Sequence, residues 1–182
     1  MIPPLFRRPD PTIAMLYGAI VAQARDARFY EGYGVPDTVL GRFDMIMLHL
    51  ALLLRRLRAG DAAARTLAQG VFDHFCRDMD HNLREMGISD QGVPRQMRRV
   101  AQAFYGRARA YDAALAQAGD DALTQALIRN VYAGAVETSV AAPRLAAYVR
   151  QAVEQYDRQP FEQLRGGVVC FPEPQSLTAA AE

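Results

Sequence analysis

Two histidines and two carboxylates share one helical row. His74, Asp78, His81 and Glu85 recur every three or four residues within Phe72–Gly87, FDHFCRDMDHNLREMG. Imidazole and carboxylate at that spacing suit zinc, manganese or iron. The other side of the segment is apolar: at about 100° per residue, Phe72, Phe75, Cys76, Met79, Leu83 and Met86 fall within roughly a third of the circumference. A four-helix di-metal centre needs inward carboxylates and a Glu-x-x-His pair. Here the row faces away from the apolar stripe, position 88 is isoleucine and no HExxH occurs. The row therefore reads as a solvated face, with Asp78 and the neighbouring Asp80 available to a partner, and no metal is expected.

A second polar row is cationic. Arg95, Arg98, Arg99 and Arg109 share one side of Pro94–Leu115, opposite Met97, Val100, Phe104, Ala108, Tyr111 and Leu115. Such a row reads either as a solvated face with acidic neighbours or as a site that can bind phosphates, acidic helices or lipid headgroups. No aromatics interleave it for base stacking, so sequence-specific nucleic-acid reading is not expected. His49 lies in the most apolar segment and reads as a satisfied core histidine. Gly32-Tyr-Gly34 lacks the third glycine and the strand–helix context of a phosphate cradle. There is no GxSxG, P-loop or paired-cysteine pattern, and no acid, base and nucleophile assemble into a site. Neither enzymatic activity nor a cofactor is expected.

The elements that must carry these rows are helices. Asp10-Pro11-Thr12 opens the first, with Thr12 as cap and Ile13, Leu16, Tyr17, Ile20, Val21 and Ala24 in one stripe. Glu31–Pro36 breaks it. Asp37 or Thr38 caps a second helix running to about Arg58; its stretch Met45–Leu54 is apolar but for His49, which marks an element packed on several sides. Asp61 caps a third, ending at Gly87. Pro94 starts the fourth, Gly119-Asp120 closes it, and the fifth and sixth span about Asp121–Ala133 and Ala142–Arg158. A short turn and an extended apolar piece, Val168-Val169-Cys170, follow Pro160. The expected fold is all-α: a single compact domain of about six helices with a short extended C-terminal segment. Residues 1–11 form an N-terminal arm, 12–171 the domain and 172–182 a flexible tail.

Composition supports this. In 182 residues, 51% are hydrophobic, enough for a full core. A net charge of +1 creates no global field toward nucleic acid or membrane. All the basic residues are arginine, so each cationic site is a planar, bidentate donor. Cys76 and Cys170 form no disulfide framework and fit a reducing compartment. The N-terminal MIPPLFRRPDP has no apolar signal core or amphipathic presequence, so the expectation is a cytoplasmic, bacterial protein or one already processed.

Several motifs recur in order: Tyr17-Gly18; Arg25-Asp26-Ala27-Arg28-Phe29-Tyr30; Gly34-Val35-Pro36-Asp37-Thr38; Gly41-Arg42-Phe43-Asp44-Met45; Leu48-His49; Phe72-Asp73-His74-Phe75; Asp78-Met79-Asp80; Leu83-Arg84-Glu85-Met86-Gly87; and Ala103-Phe104-Tyr105-Gly106-Arg107. Together they resemble the ubiquinol–cytochrome c chaperone family, over about residues 12–118. The resemblance implies a non-enzymatic assembly factor for the cytochrome bc1 complex that holds newly made cytochrome b or an early bc1 intermediate. It also implies a small helical co-chaperone, a ribosome contact, and a place on the inner face of the bacterial inner membrane. Within these motifs Gly34 and Gly87 are expected at positive φ, and Pro36 to fix the turn before the second helix. Arg42 and Asp44 are expected as an internal ion pair or cleft residues. Tyr17, Asp37, His49, Met86, Phe104 and Tyr105 complete the structural set. The arginine row is the expected client contact, bordering an apolar groove. Two other readings stay open: a metal- or haem-dependent helical enzyme using His49, His74 and His81, and a peripheral protein docking its arginines on anionic lipid.

Overall fold

The run Met45–Leu54 is buried at every position, His49 included, so this helix has no wet side. Such a segment must lie in the middle, and the remaining helices are arranged around it. The computed structural model describes residues 10–133 and 139–175. Its α-helices are α1 (Pro11–Ala24), α2 (Ala27–Glu31), α3 (Val39–Arg58), α4 (Ala62–Glu85), α5 (Val93–Leu115), α6 (Asp121–Asn130), α7 (Ala142–Arg158) and α8 (Phe161–Arg165), with a 3-10 turn at Ser139–Ala141. No strand occurs among the described residues. Central α3 packs against α1, α4, α5 and α7; α1 also packs on α4, α5 on α6, and α6 on α7.

Local chemistry sets the boundaries. Asp10, not Thr12, caps α1: its carboxylate accepts from Thr12 N at 3.0 Å. Pro11 then occupies the first turn, where its missing N–H costs nothing. Thr38 caps α3 through Gly41 N at 3.0 Å, and Asp61 caps α4 through Ala64 N at 2.9 Å. A Cβ on Gly41 would stand 2.0 Å from the carbonyl oxygen of Pro36, so only glycine lets the turn fold back on the helix. Gly34 and Gly87 have φ of 64° and 82°, as expected. At Gly87 the chain stops α4 by a paired exit, Gly87 N to Arg84 O and Ile88 N to Leu83 O.

Three elements differ from expectation. The five-residue α2 and α8 are helical, and α6 ends at Asn130 rather than Ala133. Beyond α6, Tyr132 is buried and its hydroxyl donates to Tyr33 O at 2.7 Å, which turns the chain inward. The tail from Pro172 is not loose over its first four residues, because Pro174 is buried and Gln175 is hydrogen-bonded. Residues 1–9 of the expected arm and 176–182 of the expected tail lie outside the described residues.

Candidate functional site

The α4–α5 hairpin changes character along its length. Near the bundle, Phe72, Phe75, Phe104 and Tyr105 form an aromatic cluster, with Phe72 to Phe104 at 5.1 Å and Phe72 to Tyr105 at 5.4 Å. Phe43 of α3 stacks on Phe75 at 6.3 Å. Beyond this root α4 has no buried side chain after Phe75, and α5 has none between Val93 and Phe104. The apolar stripe nevertheless continues: Cys76, Met79, Leu83, Met97 and Val100 are half-buried, and Met86 is 74% exposed. At the start of α3, Val39 and Leu40 are 81% and 72% exposed. This end of the molecule presents an apolar seam without an interior of its own. Methionine is well suited there, since its unbranched, polarizable side chain adapts to varied partners.

The arginine row lies on the opposite side of α5 from that seam. Arg95, Arg98, Arg99 and Arg109 are all exposed, and none pairs with a described carboxylate. Arg99 reaches only Gln96 Oε1, at 3.5 Å. Gly92 supplies no side-chain cap and no acidic residue lies in the first turn of α5. Arg95 thus sits in the first turn at the positive end of the helix dipole, where cations are disfavoured, with Arg98 and Arg99 one turn further on. The carboxylates of the hairpin are committed elsewhere: Asp80 holds Arg84 at 2.7 Å, Asp90 also binds Arg84, and Glu85 faces His81 at 3.0 Å. Asp80 is therefore satisfied within the chain.

The His74–Glu85 row is not one solvated face. Tyr17 of α1 lies against its first half, its ring 5.1 Å from that of His74 and its hydroxyl donating to Asp78 at 2.8 Å. Burial and that bond push the Tyr17 hydroxyl well above its usual pKa. Burial also lowers His74. Only His81 and Glu85 remain in solvent. Among the described residues no three His, Cys, Asp or Glu side chains are grouped closely enough for a metal ion.

Arg42 and Asp44 do not pair with each other, because residues two apart on a helix point to different faces. Arg42 instead holds Asp37 at 2.7 Å, and Asp44 holds Arg107 of α5 at 2.7 Å. Burial, opposed by Arg107, raises Asp44 to about 6. His49 is fully buried and both ring nitrogens are committed. Nδ1 lies 2.8 Å from Met45 O, which can only accept, so that nitrogen carries the proton; Nε2 accepts from the Tyr148 hydroxyl at 2.9 Å. Gln23 donates to the same hydroxyl at 3.1 Å. Burial pushes His49 down to about 4, so it is neutral.

Sequence reasoning missed Gln159. It is 5% exposed, and its side-chain amide binds the main chain at Val168 and Cys170. The signal available was modest: an amide beside Pro160, just where the last long helix must stop.

Comparison with known proteins places this geometry. A family model described as ubiquinol-cytochrome C chaperone matches residues 31–171. Ubiquinol-cytochrome-c reductase complex assembly factor 1 of Xenopus laevis is 26% identical over 159 residues, covering 86% of this chain and 79% of that protein. The crystal structure of the Cbp3 homolog from Brucella abortus is similar with a TM-score of 0.82 at 42% identity, covering 96% of this chain and 98% of that one.

Proposed function

The chain belongs to the ubiquinol–cytochrome c chaperone family, and from that premise we propose that it holds newly made cytochrome b, or an early bc1 intermediate, against the distal α4–α5 hairpin. It is an assembly chaperone for ubiquinol–cytochrome c reductase and not an enzyme. The observation that carries the finer reading is the unpaired trio Arg95, Arg98 and Arg99 on the polar side of α5, whose other side carries the half-buried Met97 and Val100 of the seam. A client segment that lays an apolar face on the seam and passes an acidic or carbonyl-rich end around the start of α5 would cover the one and neutralise the other. No helix among the described residues is long and apolar enough to cross a membrane. We therefore read the contact as peripheral, on the inner face of the membrane that receives the client.

The test is charge reversal of Arg95, Arg98 and Arg99 together to glutamate. These side chains are exposed and support no described ion pair, so the variant should melt within a few degrees of the parent. The expected result is a folded protein that no longer supports assembled bc1, read as haem-stained complex on a native gel with unchanged transcript. Normal bc1 with the folded variant rejects this face as the contact.

A further inference from the structure

After α8 the chain turns at Gly167, with φ of 85°, and runs extended to Gln175 across α1 and α7. This strap joins no sheet. Its main chain is read by side chains of the body. The Gln159 amide donates to Val168 O and accepts from Cys170 N, both at 3.1 Å, the pair of bonds that a neighbouring strand residue would make. Gln23 donates to Pro172 O at 3.4 Å, Arg144 to Gln175 O at 2.7 Å, and Gln175 N to the Tyr33 hydroxyl at 2.9 Å. Apolar anchoring comes from Val169, Phe171 and Pro174, the first two packed partly buried against the core. Phe171 sits edge-on to His49 at 5.8 Å and to Tyr156 at 5.9 Å, and Pro174 is buried. Beside the strap opens a cavity of about 510 Å³ with Gln151, Gln155 and Gln163 among its walls.

These contacts discriminate little between sequences. Bonds to main-chain N–H and C=O groups are available to any extended segment, and only the Phe171 position selects a large aromatic side chain. We propose that the groove between α1 and α7 is an extended-peptide site, filled in this chain by its own strap. The strap exchanges for an extended segment of another polypeptide that carries an aromatic residue in the Phe171 register. The site is separate from the distal hairpin and does not depend on the client reading given to it. A tethered strap competes at an effective concentration of order millimolar, so a free peptide binds the intact chain weakly until the strap is loosened.

The test uses the full chain and a fluorescent peptide copying residues 168–175, kept reduced. Phe171→Ala in the chain removes the aromatic anchor in cis. The expected result is saturable binding to this variant about tenfold tighter than to the parent. The same peptide with its phenylalanine changed to alanine loses that binding. Absence of saturable binding to both chains, or equal affinity for both, overturns the proposal. Hydrogen exchange on the unaltered chain gives a second measurement should the variant fail to fold. Excess peptide must speed exchange at the Cys170 and Gln175 amides, which donate to Gln159 and Tyr33, and unchanged exchange overturns it. Concentration-dependent dimers of the parent with straps swapped would make the occupant a second copy, and would overturn the assignment to another polypeptide.

Discussion

Replacing Arg107 with leucine should destabilise the protein by an amount that depends on pH. Arg107 Nη2 lies 2.7 Å from Asp44 Oδ1, and the two side chains are only 21% and 13% exposed. Burial raises Asp44 from its usual value near 3.8 to about 6, and Arg107 is the influence that opposes the rise. Because the folded value exceeds the unfolded one, the stability linked to Asp44 is fully present below about pH 4 and is lost as pH climbs through 6. Removing the guanidinium leaves a half-buried carboxylate with no partner. Breaking a buried pair costs about 3–5 kcal/mol, and residual solvent contact brings that to about 2–3 kcal/mol at pH 7. At pH 5 Asp44 is mostly protonated, and the loss falls to about 1 kcal/mol of hydrogen bonding and packing. Urea unfolding of parent and Arg107→Leu at both pH values is the assay. An equal loss at pH 5 and pH 7, or no loss at all, refutes the account of Asp44 as a carboxylate kept charged by Arg107.

Other outcomes follow from the same geometry. Tyr148→Phe removes the hydroxyl that donates to His49 and accepts from Gln23, leaving a buried acceptor bare, and should cost about 1–3 kcal/mol in urea unfolding. Gly41→Ala drives a Cβ to 2.0 Å from Pro36 O, and should cost about 3 kcal/mol or more because neither backbone can yield cheaply. Gly87→Ala meets nothing within 4 Å and pays only for positive φ, so thermal melting should report about 1–2 kcal/mol.

The long helices were legible because each carries an apolar stripe of the right period and a cap or breaker at its ends. The segment Met45–Leu54 also announced its central position, since no face of it is polar. Short α2 and α8 were not legible: five residues do not complete a second turn, so periodicity carries no signal. The arginine row could be seen by spacing, but its lack of counter-ions could not, because that depends on where Asp80 and Asp90 fold. Pairs between distant helices were equally hidden. Tyr17 with Asp78, Asp44 with Arg107 and His49 with Tyr148 each follow from how two axes cross, which no local pattern encodes. That is also why Arg42 and Asp44 looked like partners: adjacency in the chain stood in for adjacency in space. The extended piece at Val168-Val169-Cys170 was legible, but not what holds it, because side chains such as Gln159 bind it and no ladder with an alternating pattern does.

The crowding of Arg95, Arg98 and Arg99 at the start of α5 makes ionic strength a two-way control. In the empty chain, dissolved salt shields mutual repulsion among the guanidinium groups and steadies the outer turns. With a client docked there as proposed, the same ions would compete with its acidic group, and the grip would slacken. Salt therefore narrows the free-energy gap between holding and letting go from both directions, and hand-over of a client would be most sensitive to the ionic environment at this single turn of helix.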